Sequence, residues 1–177
     1  MATVKVSALT TAGSFLLADE LPVNEAGTSK KVTGTQLQTA LRGATPVRLS
    51  PSDPASRTGT EVMMGLGTTC VFTPTYTRVF VTFNGDASNS TLLDGVSVRG
   101  YYGTGTAPAN AAAASGTAFS VYKTYTSATA AARVGFAISS VITGLTPATA
   151  YWFDLSVANV TGGAASLKDI DFIAMEI

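Results

Sequence analysis

Few residue types in this sequence could carry catalytic chemistry. Among its 177 residues there is no histidine, which excludes Ser-His-Asp and Cys-His catalysis and every zinc site that uses histidine. The single cysteine, Cys70, is followed by Val71 and Phe72. This apolar context predicts a buried small residue rather than a nucleophile, and one cysteine cannot form a disulfide within the chain.

Carboxylates offer one further possibility, because glycoside hydrolysis needs two of them flanking the scissile bond. Asp169 and Asp171 are two residues apart and would point to the same side of a strand. Asp86, Asp94 and Asp154 are isolated in the sequence. No aromatic-rich cleft pattern accompanies these residues, so polar positions opposite an apolar strand face explain them better than a glycosidase does. We therefore expect a protein that is not an enzyme and that holds no metal and no cofactor.

The composition indicates a surface that is largely covered by other subunits. Charged residues make up 12% of the chain, about half of the usual share, and the mean hydropathy is +0.30. The 11 basic and 11 acidic residues are scattered, which argues against a nucleic-acid partner. No stretch is apolar enough for a transmembrane helix or a secretory signal, so no membrane partner is expected. So little charge favours association with sister subunits or a larger particle, and the alternative is an ordinary soluble domain rich in Ala and Thr.

The first 42 residues have the pattern of a small separate unit. Leu21-Pro22-Val23 begins a predicted β-hairpin. Thr35 and Gln38 have the spacing of a capping box, which predicts a short helix over Thr35–Leu41. A helix of about two turns is not stable alone, so it must dock on something.

The remainder of the chain has the pattern of consecutive β-strands. Residues 43–60 contain three closely spaced prolines and are predicted to be an extended linker to a domain formed by residues 61–177. In that domain Val79, Val81 and Phe83 alternate with other residues, as a strand with one buried face requires. The predicted strands are Glu61–Leu66, Thr69–Phe72, Arg78–Asn84, Gly95–Tyr102, Ala118–Tyr125, Ala132–Val141, Ala150–Val160 and Ser166–Ile177. Asn84-Gly85-Asp86 is typical of a turn. The pattern predicts an all-β fold, an antiparallel β-sandwich.

The last nine residues form a strand with apolar side chains on both faces. Ile170 and Phe172 share one face. The other face carries Ile173, Met175 and Ile177. An antiparallel sandwich strand normally has one polar face. We therefore expect this strand to pack both on the core and on a neighbouring subunit, so these five residues are the candidate subunit interface.

The N-terminal stretch resembles a known family of attachment segments. It runs from Val6 to Asn24 (VSALTTAGSFLLADELPVN) and continues through GTSKKVT into the short helix. This pattern resembles the segment at the start of phage tail-fibre, tailspike and head-decoration proteins, which attaches the appendage to the virion. The resemblance implies a bacteriophage structural protein located in the virion, with residues 1–42 bound to a capsid or tail protein. The candidate docking residues are the apolar ones: Leu16, Leu17, Leu21, Val23, Leu37 and Leu41.

The C-terminal part has two resemblances, both to β-sandwiches. The stretch from Val141 to Leu155 (VITGLTPATAYWFDL) and the closing strand are similar to the small jelly-roll heads of trimeric phage fibres and capsid decorations, broadly like tumour-necrosis-factor trimers. This resemblance implies a jelly-roll head that forms a homotrimer. The first stretch also fits the Gly-Leu-x-Pro-x-Thr-x-Tyr signature of a fibronectin type III tyrosine corner. A fibronectin-like sandwich is the alternative, although the single tryptophan, Trp152, is not at that fold's early position.

Two functions therefore remain open. The first is a capsid decoration, cement or head-fibre protein that forms a trimeric knob on the virion. The second is a tail-fibre or receptor-binding protein that contacts a host surface polysaccharide. Tyr101 and Tyr102 precede a Gly- and Ala-rich loop, and exposed tyrosines stack on sugars, so they are the candidate receptor contacts.

Overall fold

The chain divides into two compact units, Met1–Gly43 and Ala44–Ile177. The computed structural model describes residues 20–25, 28–34, 36 and 46–177. In the first unit, β1 (Glu20–Glu25) and β2 (Thr28–Thr33) form the antiparallel hairpin that the sequence predicts.

A capping box follows this hairpin, two residues earlier than predicted. The N–H of Gln36 donates to Thr33 Oγ1 (3.2 Å), and the N–H of Thr33 donates to Gln36 Oε1 (2.9 Å). Gly34 and Gln36 are helical. Thr33 is also the last residue of β2, so the strand ends at the residue that caps the helix. The remainder of the predicted helix Thr35–Leu41, with Thr35 and Gln38, lies outside the described residues.

The second unit is built from short and long antiparallel strands. In chain order they are β3 (Val47–Leu49), β4 (Val62–Met63), β5 (Val71–Phe72), β6 (Arg78–Asn89), β7 (Gly95–Thr104), β8 (Thr117–Ala118), β9 (Lys123–Thr126), β10 (Val134–Thr143), β11 (Tyr151–Asn159) and β12 (Ala165–Glu176). One sheet has the order β10-β6-β12-β3. The other, six-stranded sheet has the order β4-β11-β7-β8, with β5 also on β11 and β9 also on β7. No helix among the described residues is long and apolar enough to cross a membrane.

The strand order is that of a jelly roll. The short pairs β4/β5 and β8/β9 each occupy one position, so β3 to β12 fill eight positions along the chain. One sheet then holds positions 6-3-8-1 and the other positions 2-7-4-5, with the chain changing sheet at nearly every step. In the immunoglobulin-like order most consecutive strands are neighbours in one sheet. The all-β sandwich prediction is therefore confirmed, and the fibronectin-like alternative does not fit this strand order.

The tyrosine corner nevertheless exists as a local motif. The N–H of Thr146 donates to Tyr151 Oη (2.9 Å), across the turn between β10 and β11. Gly144 adopts φ 76°, which favours glycine there. The sequence signature therefore identifies one hydrogen bond across a turn. Here this hydrogen bond occurs in a sandwich with the jelly-roll strand order and not with the fibronectin-like order.

Two local predictions in this unit are wrong. The predicted linker is part of the sandwich, because β3 pairs with β12 and the N–H of Arg57 donates to the Ala165 C=O (2.8 Å). The predicted turn at Asn84-Gly85-Asp86 lies inside the continuous strand β6. A Cβ at Gly85 would lie 2.8 Å from the Lys168 carbonyl oxygen and 2.9 Å from the Phe136 ring. Gly85 is therefore required for a close approach of neighbouring groups beside the β12 bulge, and not for a turn.

The core lies between the two sheets. The ring of Phe172 lies at its centre. Its centroid is 4.7 Å from that of Phe83 in the same sheet and 5.3 Å from that of Phe153 in the other sheet. All three side chains are fully buried. A second, smaller cluster around Trp152 lies on the outer face of the six-stranded sheet, where alanines from the loop between β7 and β8 cover it.

Candidate functional site

The outer face of the four-stranded sheet carries an apolar patch. Buried and partly exposed residues alternate along β6 and β12, so every second side chain points away from the core. The strand register places Val141, Phe80 and Met175 side by side across β10, β6 and β12. Ile173 precedes Met175 on the same face, and Ile177 follows it. We call these five residues, Phe80, Val141, Ile173, Met175 and Ile177, the outer apolar patch.

The patch is accessible in the single chain. Val141 is 46% exposed and Ile177 is 51% exposed, while Phe80, Ile173 and Met175 are partly exposed. Single exposed apolar residues are normal, but five neighbouring ones on a sheet face form a larger apolar surface, which makes the outer apolar patch a candidate contact surface.

The sequence-predicted interface residues fall into two groups. Ile170 and Phe172 belong to the core, at 2% and 0% exposure, so they are not available to another chain. Ile173, Met175 and Ile177 lie in the outer apolar patch. Sequence analysis missed Phe80 and Val141, because nothing in the sequence showed that their strands flank β12.

The predicted docking residues belong to the first unit. Leu21 and Val23 lie in β1, opposite Val32 and Lys30 of β2. The other four, Leu16, Leu17, Leu37 and Leu41, lie outside the described residues.

The opposite end of the same sheet face is charged. Arg133 forms ion pairs with Asp86 (3.1 Å) and Asp169. Arg48 Nε donates to both carboxylate oxygens of Asp171 at 2.9 Å. The strand register shifts between Lys168 and Asp171, and Asp169 adopts φ 49°. Asp169 and Asp171 are thus each paired with a different arginine, an arrangement unlike that of two carboxylates facing a common substrate.

A polar and aromatic cluster surrounds Glu61 on the outer face of the six-stranded sheet. Glu61 Oε1 accepts hydrogen bonds from Tyr101 Oη (2.9 Å) and Ser156 Oγ (2.6 Å). The Arg99 guanidinium lies over the rings of Tyr101 and Tyr122, 5.4 Å and 5.0 Å from their centroids. Burial alone would raise the pKa of Glu61, but hydrogen bonds from the three hydroxyl groups and the charge of Arg99 lower it. Glu61 is therefore ionised at neutral pH, and we call these five residues the Glu61 cluster.

The tyrosines predicted to contact a receptor are mostly covered. Tyr101 is 7% exposed and its hydroxyl is bonded within the Glu61 cluster. Tyr102 is partly exposed, and its ring packs near those of Tyr151 (6.1 Å) and Phe153 (6.2 Å). Tyr122, which is 44% exposed, is the tyrosine of this region whose ring is accessible. Its position could not be predicted, because β8 and β9 are short and give little alternation.

Buried carboxylates elsewhere hold loops in place. Asp154 accepts hydrogen bonds from the N–H groups of Gly65 and Leu66, each at 3.0 Å, and burial raises the pKa of Asp154 to about 6. Glu176 is a second buried carboxylate of this kind. It accepts hydrogen bonds from Thr75 Oγ1 (2.7 Å) and from the N–H of Tyr76 (2.8 Å). Within the part of the chain that the structure describes, no three potential metal ligands lie together.

Cys70 lies in the core, as predicted. Its side chain is fully buried. Burial, with a contribution from nearby Asp154, raises the pKa of the Cys70 thiol to about 12. The thiol is therefore protonated at neutral pH and is a poor nucleophile.

Comparisons with known proteins give structural neighbours but no family. No family model and no curated protein matches the sequence. The similar solved structures include one of the infectious bursal disease virus Gx strain, with 10% identity and a TM-score of 0.45 over 90% of this chain and 38% of that chain. A VP2 protein of the same virus, in derived T=1 particles, shows 11% identity and a TM-score of 0.47 over 96% and 40%. This chain therefore spans about two-fifths of the length of these neighbours, and the assignment of a jelly roll rests on its strand order.

Proposed function

We propose that this protein is a non-catalytic structural component of a virion, a bacteriophage capsid-decoration or head-fibre protein that forms a trimeric knob. The observation that carries the proposal is the outer apolar patch. Around a threefold axis, each patch contacts the equivalent patches of two other copies, so five apolar side chains per chain leave water together. At about 25 cal/mol for each Å² of apolar surface buried, even a patch of a few hundred Å² contributes several kcal/mol per chain.

The low charge of the chain supports the same function. Charged residues make up 12% of the chain, so charge repulsion between molecules opposes association only weakly. A protein that works within a particle has that surface covered.

Attachment to the particle is assigned to the first unit. Residues 1–43 are compact by themselves and contain the β1–β2 hairpin, with an ion pair between Lys31 and Glu20 (2.6 Å). The resemblance of this stretch to phage attachment segments supports docking on a capsid or tail protein. In this proposal the jelly roll forms the knob.

Light scattering coupled to size exclusion tests the trimer with the full chain. Met175→Lys places a charge in the outer apolar patch, and Ser166→Lys places the same charge on the same strand face at its polar end. At low concentration we expect a mass of three times 18.0 kDa for the wild type and for Ser166→Lys, and a single-chain mass for Met175→Lys. A single-chain mass for the wild type at all concentrations would contradict the trimer.

A second function, contact with a host surface polysaccharide, is favoured by the exposed ring of Tyr122. One face of this ring packs on Arg99, and Glu61 beside it is a charged hydrogen-bond acceptor. Calorimetry with purified host surface polysaccharide and the full chain tests it. Tyr122→Ala should abolish binding, while Tyr76→Ala, at a tyrosine that is 55% exposed elsewhere, should not. Equal binding by both variants, or none by the wild type, would remove this function.

A further inference from the structure

The edge strand β10 lacks the features that normally prevent strands from pairing between molecules. It lies at the edge of the four-stranded sheet and is paired on one side, by β6. Its ten residues, VGFAISSVIT, include no charge and no proline, and the pairing with β6 runs from Val134 to Thr143 without a bulge. Natural edge strands are usually short, bulged, or protected by Lys or Pro. β10 is long, regular and uncharged.

The direction of the backbone groups follows from the strand register. The N–H of Ile177 donates to the Arg78 C=O, so even-numbered residues of β6 face β12 and odd-numbered ones face β10. Through the register of the β6–β10 pair, the even-numbered residues of β10 bond to β6. The odd-numbered residues of β10 therefore direct their N–H and C=O groups away from the sheet.

One contact confirms this direction. Tyr125 Oη, from β9, donates to the C=O of Ala137 (3.4 Å), which lies on the free edge. Among the described residues, none accepts a hydrogen bond from the outward N–H groups of Ser139 or Val141. The outward N–H groups of Ser139 and Val141 are therefore unsatisfied. The C=O groups of Ala137 and Val141 each accept one hydroxyl and keep a second lone pair for a partner strand.

We propose that β10 pairs with β10 of a second copy of this chain, antiparallel and centred on Ser139. In this register Ser139 of each copy exchanges two backbone hydrogen bonds with its equivalent, and Ala137 lies opposite Val141. The two four-stranded sheets join into one continuous sheet. The contact is isologous, which means that both copies use the same surface and are related by a twofold axis. The β10 edge of each copy is then paired and cannot bind a third copy.

The side chains of the edge fit this partner. Cross-strand pairs are Ala137 with Val141 and Gly135 with Thr143, none of them charged, so no like charges oppose each other. The register is also self-complementary, because each odd-numbered residue of one copy lies opposite an odd-numbered residue of the other, and all of these residues direct their N–H and C=O groups outward.

This twofold contact goes beyond the proposed trimer and does not depend on it. If the basic unit is a trimer, pairing of β10 edges links trimers to each other. If the basic unit is one chain, the same pairing gives a dimer. In both cases the mass at high concentration is at least twice that of the basic unit, because a trimer carries three β10 edges and can link to more than one other trimer.

Light scattering of the full chain over a range of concentrations tests the pairing. Ser139→Lys brings two introduced amines together at the twofold axis, while Thr146→Lys adds the same charge in the turn after β10. We expect the wild type and Thr146→Lys to reach at least twice the mass of Ser139→Lys at high concentration. Ser139→Pro removes an outward N–H that β6 does not use, and it should also reduce the mass to that of the basic unit.

Hydrogen exchange provides an independent readout. The amides of Ser139 and Val141 should exchange more slowly as the wild-type concentration rises, and this change should be lost in Ser139→Lys. Equal masses for the wild type and both Ser139 variants at every concentration would overturn the pairing. An increase in mass with concentration that persists in both variants would overturn it too. Loss of the trimer changes the mass at low concentration, whereas loss of the β10 pairing removes the increase at high concentration, so the two proposals fail independently.

Discussion

Replacing Asp154 by asparagine tests whether burial or hydrogen bonding controls the charge of a fully buried carboxyl group. Asp154 lies in β11 at 0% exposure, beneath the loop whose Gly65 and Leu66 N–H groups donate to it. Burial disfavours the charged form, and the N–H groups favour it. Burial prevails, and the pKa of Asp154 rises from 3.8 to about 6.

This rise has a definite sign for stability. The unfolded chain releases the proton near pH 3.8, and the native chain releases it near pH 6. Between these values the native state binds more protons than the unfolded state, so the unfolding free energy falls as pH increases. A pKa difference of this size corresponds to about 3 kcal/mol. The neutral variant Asp154→Asn lacks this titration, so the wild-type unfolding free energy minus that of the variant should fall by about 3 kcal/mol between roughly pH 3 and pH 7.

Urea unfolding at a series of pH values measures this difference, with fluorescence of the nearby Trp152 as the signal. Glu176→Gln is the contrasting control. Burial alone would raise the pKa of Glu176, but hydrogen bonds from Thr75 and Tyr76 outweigh it and lower the pKa. The wild-type advantage over Glu176→Gln should therefore be present above the unfolded pKa and decline as pH falls. A flat or rising difference for Asp154→Asn would refute the dominance of burial at that site.

Two further predictions concern the core and its closure. Cys70 should resist thiol reagents in the native protein at neutral pH and react only after denaturation, because its thiol is buried and protonated. Rapid labelling of the folded chain would contradict this prediction. Tyr151→Phe removes the bond from the Thr146 N–H and should lower the unfolding free energy by about 1 kcal/mol in urea titrations, with no change of fold by circular dichroism. An unaltered midpoint would show that the tyrosine corner contributes nothing here.

The fold class could be predicted because alternation along a strand is a local property. Val79, Val81 and Phe83 are all fully buried in β6, as their spacing predicts. The same reasoning separated the two faces of β12 correctly. Ile170 and Phe172 still could not be excluded as interface residues, because a sequence does not show which of two apolar faces lies on the core of its own chain.

Turn and linker signals were less reliable, because glycine and proline serve more than one purpose. Gly85 has the sequence context of a turn, yet it sits within a strand where a side chain would collide with the bulge of β12. Pro51 and Pro54 lie in the predicted linker, yet both are buried against the sandwich. An edge strand as short as β3 needs only three paired residues, and no periodicity is visible over that length.

The surfaces that matter for function depend on strand order, which the sequence alone did not supply. Val141, Phe80 and Met175 come from three strands far apart in the chain, and each alone is an ordinary exposed apolar residue. The register of the paired strands places these three side chains next to one another across the sheet. The role of β10 also depends on strand order. The sequence VGFAISSVIT is ordinary for a strand that lies between two others. At the edge of a sheet, the same ten residues leave one row of backbone groups available for pairing with another strand. One end of that edge, at Val141, belongs to the outer apolar patch, so a second copy bound there would extend the patch and not cover it. The proposed twofold contact thus uses the backbone edge of the sheet, and the proposed threefold contact uses the side chains on its outer face.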